Sequence, residues 1–184
     1  MSRHQTPLSL EYVLLGLLEQ QAMHGYDLFK TLKSLDGLSA IWHVNQSQLY
    51  AILDKLKKLG YLSTVEVTGE AHPMRKEFHI TPAGKSRLLT WMISPVERGR
   101  DMRQEFLAKL YFARLAGEEI SKTLLIEQQK TCQGWLIPLK ETLHHDRKRS
   151  DYHRMVYEFR ICQTEAMITW LTQCRDELSN NLSI

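Results

Sequence analysis

The rhythm of apolar residues changes at Gly60, and that change constrains the fold more than any other feature of the chain. Before it, apolar residues recur at spacings of three and four in three successive stretches. These are Leu10, Val13, Leu14, Leu17 and Leu18, then Leu28, Phe29, Leu32 and Leu35, then Leu49, Ile52, Leu53, Leu56 and Leu59. Such spacing belongs to helices that bury one face. After Gly60, Val65 and Val67, and later Phe78 and Ile80, alternate with polar neighbours, which is the period of a strand. The pattern predicts three helices followed by a hairpin.

Local chemistry supplies the boundaries. Ser9 suits the cap of the first helix, which should end near Gln21, and Ala22-Met23-His24-Gly25 interrupts the period before the second. Asp36-Gly37 should stop that second helix. Asn45 can cap the third, with Gln48 reaching back from its third position in a capping box. Gly60 suits a left-handed C-terminal cap. The polar stretch from Thr68 to Arg75, with Gly69 and Pro73, reads as a long hairpin tip. Thr81-Pro82 then opens a fourth helix, threonine as cap and proline in the first turn, with Leu88, Leu89, Met92 and Ile93 as its inner face. Three helices, a hairpin wing and another helix form a winged helix-turn-helix, expected over residues 1–93.

Ser94-Pro95 and Gly99 mark a boundary, after which residues 94–184 read as helical. Phe106, Leu107, Leu110 and Tyr111 predict a helix over about 103–115, and a longer one should run from Ile120 to about Leu143. Pro138 should kink or break it near Gly134-Trp135, because an interior proline removes a hydrogen bond and presses on the preceding turn. A last helix carries Met155, Phe159, Cys162, Ala166, Trp170 and Cys174 at spacings of three and four. These helices do not obviously bury all their faces alone, so a second copy is expected to cover the remainder. The dimerisation residues would be Phe106, Leu110, Met155, Phe159, Cys162, Ala166 and Trp170. The fold class is mainly α with a small β-hairpin, a winged helix-turn-helix domain followed by a C-terminal helical dimerisation domain.

Charge does not by itself name a partner. The net charge is +3, with 10 basic against 8 acidic residues up to position 93 and 14 against 13 beyond it, so any affinity for DNA must come from placement. Cys132, Cys162 and Cys174 lack a close pair and predict reduced, mostly buried thiols, with neither disulfides nor zinc. No apolar run approaches the roughly 20 residues of a membrane span, and no leader pattern opens the chain, which predicts a cytoplasmic protein. His144, His145, Asp146, Asp151 and His153 surround Arg147-Lys148-Arg149, which would repel a cation, so a solvated turn and no metal are expected. No nucleophile elbow, phosphate loop or zinc spacing suggests an enzyme or a cofactor.

With the leucines of the third helix inward, Ser47, Ala51, Asp54 and Lys58 point outward. The turn Asn45, Gln46, Ser47 and Gln48 then offers amides and a hydroxyl of the kind that read base edges in a major groove. The same residues also suit a plain helix cap. Tyr50 can pack its ring on the motif and reach a phosphate, or serve packing alone. Asp54 should end contact with DNA, and its simplest role is an exposed pair with Lys58. In the wing, His72, Arg75 and Lys76 can approach the minor groove or flanking phosphates, unless the tip is a bare loop. Trp135, Met155, Phe159 and Trp170 could line an aromatic pocket between protomers for a small aromatic ligand, or be core. Double-stranded DNA and a second copy of the chain are the expected partners. The alternative is a winged-helix module that binds protein instead of DNA.

Several stretches carry a family likeness: His24-Gly25-Tyr26, Leu49-Tyr50-Ala51-Ile52-Leu53, Leu59-Gly60-Tyr61-Leu62 and His79-Ile80-Thr81-Pro82-Ala83-Gly84. With Phe106-Leu107-Ala108-Lys109-Leu110 and Trp170-Leu171 further on, the chain resembles the PadR family of transcription regulators. The likeness is to its longer subgroup, whose C-terminal helical region is of the virulence-activator type. The resemblance implies a dimer on an inverted repeat, commonly a repressor, with some members released by phenolic or multidrug-like compounds. It favours Tyr50 and the polar turn before it as DNA contacts. Pro138 and Asp54 are departures from the pattern.

Overall fold

The computed structural model describes residues 8–34, 44–69, 72–145 and 150–180. It divides into two compact units, residues 1–91 and 92–184. The first contains α1 (Leu8–Gln20), β1 (Met23–His24), α2 (Gly25–Ser34), α3 (Gln46–Lys58), β2 (Leu62–Gly69), β3 (His72–Ile80) and most of α4 (Pro82–Ile93). α3 packs on α1, α2 and β2, and buries Leu49, Leu53 and Leu56. Ser9 lies inside α1, which begins at Leu8, so it is not the cap. Asp36-Gly37 lies outside the described residues.

The sheet has three antiparallel strands in the order β1-β3-β2. β1 is the step at Ala22 to Gly25 that the apolar period left unassigned; it pairs Met23 with Phe78 and His24 with Glu77. Two residues are too few to show alternation, so only tertiary pairing reveals the strand. The hairpin differs from expectation in two ways. Its ladder extends to a pairing of Gly69 with His72, so the tip is short and His72 and Arg75 belong to β3, not to a loop. The phase of β2 is also reversed. Leu62 is buried and Thr64 half-buried, whereas Val65 is exposed, because Leu62 and Thr64 stand opposite Ile80 and Phe78 on the inner face. The register is set by those pairs, and shifting it by one residue would expose Leu62 and Phe78.

The junction between α3, the wing and α4 is a clasp of backbone and threonine. Gly60 has φ +75°, the left-handed conformation that a glycine takes without the Cβ clash of other residues. The chain therefore turns at once, and the Tyr61 N–H returns to the Leu56 carbonyl at 2.9 Å. Across the wing's base the Thr81 N–H donates to the Tyr61 carbonyl at 3.0 Å, and the Thr81 hydroxyl donates to the Gly60 carbonyl at 2.7 Å. The same hydroxyl caps α4 by accepting from the Gly84 N–H at 3.1 Å. α4 buries Leu88, Trp91 and Met92, and Leu89 and Ile93 are exposed, so its inner face is rotated from the expected one. The large ring of Trp91 decides this, stacking on Tyr12 at 4.7 Å between centroids.

The second unit holds a 3-10 turn (Gly99–Arg103), α5 (Glu105–Ala116), α6 (Glu118–His145) and α7 (Asp151–Asn180). Its core gathers Val96, Met102, Phe106, Ala113, Leu124, Leu125, Cys132 and Leu171. α6 runs through Pro138 without a break. Two buried polar side chains hold the segment before the 3-10 turn. The Gln128 amide accepts from the Val96 N–H at 2.7 Å and donates to its carbonyl at 3.2 Å. Lys109, also buried, donates to the Ser94 carbonyl at 2.8 Å and pairs with Glu105. Burial, the largest influence, holds its pKa below the usual lysine range, while Glu105 raises it.

Gly84 provides a test of the clasp. A Cβ there would collide with the Tyr61 carbonyl oxygen and lie 2.8 Å from Ile80 Cγ1. Gly84→Ala is expected to cost about 1–3 kcal/mol, the usual range for overpacking, and to lower the thermal unfolding midpoint. An unchanged midpoint would show that the contact does not constrain the fold.

Candidate nucleic-acid interface

α3 begins with a reciprocal cap. Asn45 is extended (φ −90°, ψ 163°), its side-chain oxygen accepts from the Gln48 N–H at 2.8 Å, and its own N–H donates to Gln48 Oε1 at 3.1 Å. Two backbone donors of the helix start are thereby satisfied. Asn45, Gln46, Ser47 and Gln48 are all exposed, and Leu49 directly after them is fully buried. The cap and the outward polar turn are therefore not competing assignments. Asn45 and Gln48 use their oxygens in the cap and keep their NH2 groups, while Gln46 and Ser47 carry no structural duty in the cap.

Tyr50 is half-exposed, and its ring lies over Gly25 at the start of α2. A Cβ on Gly25 would come within 2.7–2.8 Å of Tyr50 Cε1, Cζ and Oη, so the tyrosine adopts this position only because residue 25 has no side chain. Gly25 was not among the expected site residues. Its signal was present as a glycine opening a helix, a place that calls for a reason other than helix propensity.

The later part of α3 is held by protein contacts. Lys55 pairs with Glu11 at 2.7 Å, and Lys57 donates to the Thr64 hydroxyl at 2.9 Å. The expected ion pair between Asp54 and Lys58 is not among those of the described residues, although both are exposed. In the wing Lys76 is exposed, and its carbonyl accepts from His24 Nδ1 at 3.1 Å, which ties β3 to β1. The side chains of His72 and Arg75 lie outside the described residues.

The helical unit revises several expectations. Phe106 is fully buried in its own protomer and cannot present a dimer surface, and Leu110 packs beside it against the same core. α7 turns Ile161, Thr164 and Leu171 inward, and with them Met167, Ile168, Cys174 and Leu178. Met155, Phe159, Cys162 and Ala166 form a separate line that is exposed within the protomer, and Trp170 is partly covered by an edge-on contact with Phe106. Within one protomer, the four residues expected to line an aromatic pocket between protomers do not share a cavity. Trp135 lines a cavity of about 680 Å³ together with Tyr157, Arg160 and Met167, but Met155, Phe159 and Trp170 do not. Of the cysteines, Cys132 is buried, Cys174 half-buried and Cys162 exposed. Burial pushes the thiol pKa of Cys132 and Cys174 up, so both stay protonated near neutrality.

Among the described residues no group of three or more metal-capable side chains gathers, and no helix is long and apolar enough to cross a membrane. Asp146 and Arg147-Lys148-Arg149 lie outside the described residues.

Comparison with known proteins accounts for both units. Residues 14–90 match the transcriptional regulator PadR-like family, and residues 102–179 match the virulence activator alpha C-terminal family. Residues 14–90 belong to the PadR-like family of transcriptional regulators. The family is one of regulators, not enzymes. A curated relative, the negative transcriptional regulator PadR of Bacillus subtilis, is 29% identical over 132 residues, or 71% of each chain. Among solved structures, Bacillus subtilis PadR in complex with operator DNA is 23% identical with a TM-score of 0.45, covering 92% of this chain and 98% of that one. A PadR-like regulator of Bacillus cereus is 22% identical with a TM-score of 0.45, covering 96% and 99%.

In this PadR-like chain the cap itself is testable apart from any ligand. Asn45→Ala is expected to cost about 1 kcal/mol of stability, since it leaves the Gln48 N–H without its partner. Denaturant unfolding reads the loss, and no change would show that the cap adds nothing.

Proposed function

We propose that this PadR-like regulator works in the cytoplasm as a homodimer that binds double-stranded DNA at an inverted repeat and represses transcription, in response to a small aromatic effector. The observation that carries the DNA reading is the first turn of α3, four exposed polar residues fixed by a capping box directly ahead of a buried leucine. Amide and hydroxyl groups held in that way suit base edges, glutamine and asparagine toward adenine and serine toward several bases. Gln46 and Ser47 are the main readers in this proposal, with the free NH2 groups of Asn45 and Gln48 beside them. Tyr50, seated on Gly25, would reach backbone phosphate, and His72, Arg75 and Lys76 of β3 would hold the flank. Asp54 would mark where α3 leaves the groove, since its charge repels phosphate.

The dimer reading rests on the exposed line of α7, where Met155 is 61% and Phe159 65% accessible in one protomer. Cys162, Ala166 and Trp170 continue it. A two-fold dimer presents two copies of α3 to successive major grooves, roughly 34–36 Å apart, which calls for an inverted repeat. The repressor reading is supported by the relative that is named a negative regulator.

Two outcomes are expected in mobility-shift assays with genomic fragments and with random DNA. Changing Gln46 and Ser47 to Ala together should reduce the preference for the specific site, whereas changing Arg75 and Lys76 to Ala should weaken both and flatten the salt dependence. Equal losses on both DNAs in the first variant would remove base reading, and absence of any shift in the parent protein would overturn DNA binding. Light scattering tests the dimer. Phe159→Asp should give monomers at micromolar concentration, and a dimer unaffected by that change would place the interface elsewhere.

A further inference from the structure

The cavity in the helical unit has an electrostatic character that the aromatic residues alone did not suggest. Its wall includes Arg98 and Arg100 at the 3-10 turn and Arg160 on α7. Arg100 is beside Asp101 at 3.6 Å. Arg98 and Arg160 have no carboxylate partner among the described residues. The acidic side chains nearest Arg160 along α7 are otherwise occupied, Glu158 facing Arg154 at 3.8 Å and Glu165 facing Lys140 at 2.7 Å. The guanidinium of Arg160 instead lies over the Tyr157 ring, 5.9 Å from its centroid. Trp135, Tyr157 and Met167 give the same space apolar walls, and Thr142 and Gln163 add hydrogen-bonding groups. Glu97 is the one acidic group of the wall.

From this arrangement we propose that the cavity binds a flat organic anion carrying two negative charges, its planar body between Trp135 and Tyr157 and its charged group on Arg98 and Arg160. The volume, about 680 Å³, lies within the roughly 300–1,000 Å³ of small-molecule sites. A guanidinium presents a planar fork that matches carboxylate or phosphate. Two such groups without a carboxylate partner favour a doubly charged ligand over a singly charged one, and the single carboxylate of Glu97, which repels an anion, is outnumbered by the arginines of the same wall. A phosphomonoester and a dicarboxylate share this chemistry. The proposal deepens the effector reading given above and gives it a place wholly inside residues 92–184. It does not depend on DNA binding.

Titration calorimetry on the full chain without DNA tests it, with adenosine monophosphate, isophthalate and adenosine as probes. Saturable binding of adenosine monophosphate alone identifies the phosphomonoester class, and binding of isophthalate alone identifies the dicarboxylate class. Either should be weakened by roughly tenfold or more in Arg98→Ala/Arg160→Ala, whose sites are exposed and whose fold circular dichroism can check. Adenosine should bind far more weakly than its monophosphate. The proposal is overturned if neither anion binds up to millimolar concentration, if adenosine binds as well as the monophosphate, or if the double variant retains full affinity. Because DNA is absent, each of these results leaves the mobility-shift outcome untouched.

Discussion

The winged unit depends on the hydrogen bonds that Gly60, Tyr61 and Thr81 exchange at the base of the hairpin. One threonine hydroxyl donates to the end of α3 and accepts from the start of α4, while its backbone joins the first residue after the turn. Four elements meet there, and none can shift alone. Net hydrogen-bond contributions are about 1 kcal/mol each, so the importance of the clasp lies less in its strength than in fixing direction. It sets where β2 departs, hence which of its residues face inward. The stretches around Gly60 and around Thr81, far apart in the chain, are two halves of one contact.

Features governed by neighbouring residues were legible in the sequence. The Asn45 cap, the left-handed Gly60 and the Thr81-Pro82 start of α4 depend on backbone chemistry within a few positions, and each stands where the residues indicated. What depended on distant partners was not legible. Thr68 to Arg75 has loop-like composition, yet ladder hydrogen bonds are made by the backbone, and β3 extends back to His72 regardless. Val65 is more apolar than Thr64, but pairing places the threonine inside. On α7 two apolar lines run side by side, and only packing against α6 and α5 decides which one is core. Phe106 was assigned outward for the same reason: periodicity finds an apolar face without saying what covers it. Pro138 left a kink and a break both open, and the helix continues through it without a break.

At the candidate interface, structure and recognition are distributed over different atoms of the same four residues. Asn45 and Gln48 hold the backbone through their oxygens, which orients Gln46 and Ser47 without using their side chains. Preorganisation of this kind lowers the entropic cost of binding, since the turn needs no ordering when a partner arrives. The helical unit uses a similar economy. Gln128 and Lys109, both buried, satisfy the backbone of Val96 and Ser94 and so hold the segment leading into the cavity wall at Arg98 and Arg100.

The empty side-chain position at Gly25 has a consequence for engineering specificity. Because the Tyr50 ring fills the volume that any larger residue would need, α3 and the first residue of α2 form a matched set. A recognition helix bearing an aromatic residue at the position of Tyr50, grafted into a scaffold with alanine or serine at the position of Gly25, would be forced to seat that ring differently. Chimeras should therefore exchange the two segments together, although 24 residues separate them in the chain.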